Sequence, residues 1–131
     1  MNGNKAVLDS NAIIYASNGT IDAEILLSGK ESYFASIITF TEVYSYEFTK
    51  PAEKKAIDDI LDNLEIINLN GNIADQAIAY RKNKQKKIKL PDAVILATAK
   101  VLGAELITDN LADFQGIESS VMITGISDMR T

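Results

Sequence analysis

Apolar residues recur in this chain at two periods, and the two periods alternate. Ala6-Val7-Leu8 is a short apolar run of strand length, and residues 10–16 (SNAIIYA) then take helical spacing, as do residues 21–27. Residues 33–38 (YFASII) are aromatic and β-branched, the composition of a second strand. Thr39 then opens a helix to about Phe48, and Pro51 suits the first turn of the next, where its missing N–H costs nothing. In that helix Ala52, Ala56, Ile57, Ile60, Leu61 and Leu64 share one face, opposite Lys54, Lys55, Asp58, Asp59 and Asp62. Residues 65–69 (EIINL) predict a third strand, and Asn72 caps a helix with Ile73, Ala77 and Ile78 inward. Residues 91–102 have almost no polar positions, so they predict a buried helix, which Gly103 ends. Residues 105–108 and 121–124 complete the pattern as a fourth and a fifth strand.

Strands separated by helices imply right-handed crossovers and a mostly parallel sheet covered on both faces, an α/β fold. No repeat, linker or low-complexity tract interrupts the pattern, so residues 1–131 read as a single domain. The topology gives meaning to the acids. In a parallel sheet the strand C-termini share one edge with the N-termini of the helices that run back, and ligands bind there. Asp9 ends the first strand, and Glu42 sits early in the helix after the second. Asp92 opens the buried helix, and Asp109, Asn110 and Asp113 follow the fourth strand. These residues, far apart in sequence, are therefore expected on one rim.

Composition narrows what such a rim does. Histidine and cysteine are absent, which removes catalytic triads, Cys–His dyads, disulfides and the common zinc sites. The lack of cysteine suits a reducing cytoplasm. Residues 1–5 run straight into an apolar segment too brief for a signal-peptide core, and no apolar run is long enough to span a bilayer, so no membrane role is expected. Four clustered carboxylates repel one another unless a divalent cation intervenes, and oxygen donors alone suit Mg²⁺ or Mn²⁺. Such an ion polarises a phosphoryl oxygen and yields hydroxide near neutral pH, the toolkit of phosphodiester hydrolysis. The net charge of −5 opposes binding of a polyanion, but it is unevenly spread. Six of the 13 basic residues, Arg81, Lys82, Lys84, Lys86, Lys87 and Lys89, fall in one acid-free stretch able to hold a nucleic-acid backbone.

Each feature also has a purely structural explanation. Asp9 and Asp109 fit helix caps, Asp92 is an ordinary first-turn acid, Thr39 and Glu42 fit a capping box, and Asp113 fits a solvated position in a loop or short helical turn. The basic stretch fits a solvated helix end. What favours chemistry is the combination on one edge, with no rival catalytic groups.

The residues also resemble a known family. Val7-Leu8-Asp9-Ser10-Asn11-Ala12-Ile13-Ile14-Tyr15 is similar to the opening motif of PIN domains, and Thr41-Glu42-Val43 to their second. Residues 90–99 (LPDAVILATA) closely resemble the third motif and residues 106–114 (LITDNLADF) the fourth, in family order. The resemblance implies a three-layer α/β/α sandwich and Mg²⁺- or Mn²⁺-dependent cleavage of single-stranded RNA. It carries Asp9, Glu42 and Asp92 over as metal ligands and catalytic acids, with Asp113, or alternatively Asp109, as the fourth acid. Ser10, Thr108 and Asn110 match the supporting polar positions. Small PIN domains are similar to VapC-type toxins, homodimers that cleave tRNA or ribosomal RNA and are blocked by a VapB-like antitoxin. Alternatives within the family are an RNA-processing nuclease without an antitoxin and a catalytically inactive module binding RNA or protein. A phosphoacceptor α/β protein fits poorly: a receiver needs an acidic pair near Asp9, and a haloacid-dehalogenase-like phosphatase needs Asp where Asn11 stands.

Overall fold

The computed structural model describes residues 4–131; Met1, Asn2 and Gly3, part of the segment read above as too short for a signal core, lie outside the described residues. Five strands, β1 (Lys5–Leu8), β2 (Ser32–Ser36), β3 (Glu65–Ile67), β4 (Glu105–Ile107) and β5 (Ile123–Thr124), form one sheet in the order β3-β2-β1-β4-β5. Every pairing is parallel, so the sheet is wholly rather than mostly parallel. The helices are α1 (Ser10–Ser17), α2 (Ala23–Leu26), α3 (Ile37–Tyr44), α4 (Pro51–Leu61), α5 (Gly71–Arg81), α6 (Leu90–Leu102) and α7 (Leu111–Phe114).

Two apolar clusters sandwich the sheet, and β1 shows why. Its side chains alternate: Ala6 and Leu8 join the cluster under α1, α3 and α4, whereas Val7 joins the one built on α5, α6 and Phe114. A strand buried on both faces cannot show polar alternation, which accounts for its unbroken apolar run. The outcome is a three-layer α/β/α fold. Helix α6 is its most buried element, with Ala93 through Ala99 all inaccessible, and Gly103 ends it in the left-handed conformation at φ 65°. Among the described residues no helix is long and apolar enough to cross a membrane.

Several boundaries differ from the sequence reading. The second strand stops at Ser36, and α3 begins at Ile37 rather than at Thr39. Ser36 caps it, its hydroxyl accepting from the Ile38 amide at 3.1 Å. This start places Thr39 and Val43, one turn apart, on the buried face. The Thr39–Glu42 capping box therefore does not exist: Thr39 is buried within the helix, and Glu42 lies in its second turn, not its first. The helix also ends at Tyr44, short of Phe48. Asn70, not Asn72, caps α5 by accepting from the Ile73 amide at 3.0 Å. The helical stretch at 21–27 shrinks to the single turn of α2, because Asp22 caps it and Ile21 instead bridges to Arg130.

Candidate active site

The rim at the strand C-termini is assembled from four elements. β1 delivers Asp9 at its end, where the residue both closes the strand and caps α1. Its Oδ1 accepts from the Ser10 amide at 2.7 Å, and its Oδ2 accepts from the Thr108 hydroxyl, also at 2.7 Å. Thr108 follows β4, so the first carboxylate is fixed from the neighbouring strand. The Ser10 hydroxyl donates to Glu42 Oε1 at 2.6 Å and thereby ties α3 to the start of α1. Asp92 enters from the first turn of α6 and Asp113 from α7.

These acids lie close enough to act on one another electrostatically. Burial pushes the Asp9 carboxyl above the usual carboxylate range, and Glu42 and Asp109 push it further; the bonds from Thr108 and Ser10 act against this. Asp92 is pushed up to about 6, first by desolvation and then by Asp9, Asp113 and Glu42, with Lys89 opposing. Asp113 thus faces Asp92, whereas Asp109 faces Asp9. Among the described residues none of Asp9, Glu42, Asp92 and Asp113 forms an ion pair.

Beside the acids lies a cleft of about 360 Å³, lined by Arg81, Lys87, Ile88, Lys89, Asp92 and Asp113. Its lining therefore combines basic and acidic side chains. The six basic residues do not act alike. Arg81 Nη1 donates to the Ile88 carbonyl at 2.7 Å, and the Lys86 ammonium donates to the carbonyls of Ala112 and Gln115. The side chains of Lys82, Lys84, Lys87 and Lys89 make no hydrogen bond or ion pair among the described residues, although Lys89 acts electrostatically on Asp92. A run of like charges holds no sign of which members turn inward, so this division is invisible in the sequence. Asn110 takes part through its backbone, its amide donating to the Thr108 hydroxyl at 3.0 Å. Asn83 was likewise unmarked by sequence; its Oδ1 accepts from the Gln85 and Lys86 amides and shapes the basic loop.

The donor set on this rim is carboxylate and hydroxyl oxygen, the chemistry of Mg²⁺ or Mn²⁺ sites. Among the described residues no three acidic side chains are drawn together closely enough to cage an ion unaided. That fits these two ions, which keep several waters and need only one or two protein carboxylates together with substrate phosphate oxygens.

Comparison with known proteins agrees with this geometry. The family model for the PIN domain matches residues 6–117. No curated protein sequence gives a significant match. Among solved structures, the fold is similar to a toxin–antitoxin complex from Klebsiella pneumoniae, at 36% identity and TM-score 0.74, over 89% of this chain and 95% of that one. It is also similar to VapBC2 from Rickettsia felis bound to a DNA fragment of its promoter (24% identity, TM-score 0.76, 92% and 98% covered). VapBC-5 from Mycobacterium tuberculosis shares the fold at 20% identity and TM-score 0.69, with 93% and 98% covered.

Proposed function

The chain belongs to the PIN domain family, and from that premise we propose that it is a VapC-type toxin: a divalent-metal-dependent endoribonuclease acting on single-stranded RNA. The observation that carries this reading is the electrostatic coupling of Asp92 to Asp9, Glu42 and Asp113 on one rim, with no side-chain cation among the described residues in an ion pair with any of them. A purely structural rim has no reason to keep so many uncompensated acids together.

Asp9, Glu42, Asp92 and Asp113 would hold Mg²⁺ or Mn²⁺, one or two of them directly and the others through metal-bound water, with Asp109 as the alternative fourth acid. When bound, the metal supplies Lewis acidity and an activated water. Thr108 and the Ser10 amide favour the ionised form of Asp9 against its burial, the form a ligand needs. Ser10 holds Glu42 turned toward the same space. Lys87 and Lys89, which line the cleft, and Lys84 in the same basic stretch hold the RNA backbone, offsetting the overall negative charge of the chain. The role extends to a homodimer acting in the cytoplasm as one domain, on a target such as tRNA or ribosomal RNA, and to a VapB-like antitoxin that covers the rim.

Cleavage of a single-stranded RNA oligonucleotide is the test. Purified protein should cut it with Mg²⁺ or Mn²⁺, lose the activity in EDTA, and lose it in Asp92→Asn while the circular-dichroism spectrum is unchanged. Cleavage that persists in the Asn variant, or none from the wild type with either metal, removes the proposal.

A further inference from the structure

Helix α7 poses a mechanical problem. It is a single turn that carries Asp113, and a turn this short has no stability of its own. Its position must come from tertiary ties. Phe114 anchors it in the core, and Leu111 packs on Gly125. The carbonyl end of the turn, however, is held by a residue of another element: the Lys86 ammonium donates to both Ala112 O and Gln115 O, on either side of Asp113. Orphan carbonyls at a helix C-terminus are natural partners for a cation. The loop that supplies Lys86 is itself fixed, by Asn83 Oδ1 accepting from the Lys86 amide at 3.3 Å and by Arg81 reaching the Ile88 carbonyl.

We propose that Lys86 is a positioning residue: its clamp on the two carbonyls of α7 sets the placement of Asp113 opposite Asp92. Lys86 is thereby separated from Lys84, Lys87 and Lys89 of the same stretch, which meet the RNA. The inference rests on the nuclease reading for its catalytic consequence, but not for the clamp itself. The clamp also couples the basic side chains of the cleft to Asp113, because the loop bearing Lys87 and Lys89 is the loop that grips the acid-bearing turn.

The test compares the full-length wild type with Lys86→Met, Lys86→Arg and Lys87→Met. Hydrogen–deuterium exchange is measured without metal or RNA, and kcat and KM on single-stranded RNA with Mn²⁺. In Lys86→Met, amides 112–116 should exchange about 10-fold faster, with the rest of the chain unchanged. Its kcat should fall about 10-fold while KM stays within about twofold, the signature of a displaced catalytic group. Lys86→Arg should restore both, since guanidinium also donates to two carbonyls. Lys87→Met should do the reverse, raising KM with exchange unaltered. Wild-type exchange in Lys86→Met, or a rise in KM alone, overturns the clamp and makes Lys86 an RNA contact. Should the Met variant fail to fold, Lys86→Gln carries the same comparison. A wild type that cleaves nothing would defeat the nuclease reading, and the exchange measurement would still decide the clamp.

Discussion

The two ends of the sheet treat buried acid in opposite ways. At the N-terminal end Glu105 is nearly inaccessible, yet Lys30 pairs with its Oε1 at 2.6 Å and the Thr124 hydroxyl donates to its Oε2 at 2.5 Å. A cleft of about 420 Å³ opens beside this pair and is lined in part by Lys30, Tyr33 and Glu65. At the C-terminal end Asp9 is as buried as Glu105, but its partners are a hydroxyl and an amide, and its neighbours are further acids. Both ends satisfy hydrogen bonds; only one neutralises charge. Where a carboxylate serves the fold, the chain provides its own cation. Where it does not, the carboxyl pKa values rise, and the missing positive charge points to a ligand.

The contrast can be broken from either end. The largest effect is expected at the uncompensated rim: Asp9→Asn should lower RNA cleavage at least about 100-fold, as removal of a charge-stabilising group does. Its unfolding temperature should not fall. Next comes the compensated end. Lys30→Met strands Glu105 and should cost about 2–3 kcal/mol in chemical denaturation, with kcat of the folded protein unchanged. Equal losses of activity in that variant would show that the two ends are not independent.

Thr108→Val is the sharper probe of the rim. It removes the hydroxyl that favours ionised Asp9, so activity should drop about 10-fold, the usual cost of a lost supporting partner. The acidic limb of its pH–rate profile should move to higher pH. The smallest effect concerns stability. The Asp92 carboxyl is raised to about 6 from 3.8, so its contribution to folding is most favourable below pH 4 and is lost as pH rises through 6. Asp92→Asn, assayed in EDTA, should therefore be more stable than the wild type by about 1 kcal/mol at pH 7.5, a figure discounted for solvent screening. That corresponds to a melting temperature about 3 °C higher. The gain should vanish at pH 4. A variant less stable than wild type at pH 7.5 would mean that the charge on Asp92 is already compensated.

Some elements announce themselves in the chain. Helix α6 is legible because a long apolar run, an early Pro91 and a terminal Gly103 agree, and α4 because Pro51 and a two-sided pattern agree. The gathering of the acids on one rim was equally readable, since a parallel sheet leaves only one edge for Asp9, Asp92 and Asp113. The start of α3 was not. Ser36 and Thr39 are both able caps, and Ile37 and Ile38 suit a strand end as well as a helix. Burial of Thr39 and Val43 together chooses between them. Asp9 shows a third case, in which one carboxylate oxygen meets the capping role read from the sequence and the other accepts from Thr108, a partner 99 residues away.

Local patterning thus settled the layer order, the parallel sheet and the acids at its edge, because periodicity and strand direction act over a few residues and need no knowledge of distant neighbours. Which lysines of the stretch 81–89 grip backbone, which acid faces Asp92, and that Lys30 neutralises Glu105 were decided only on folding. Each of those depends on a contact between residues far apart in sequence, such as Lys86 with Ala112, and a long flexible side chain has no preferred partner until the surrounding packing supplies one.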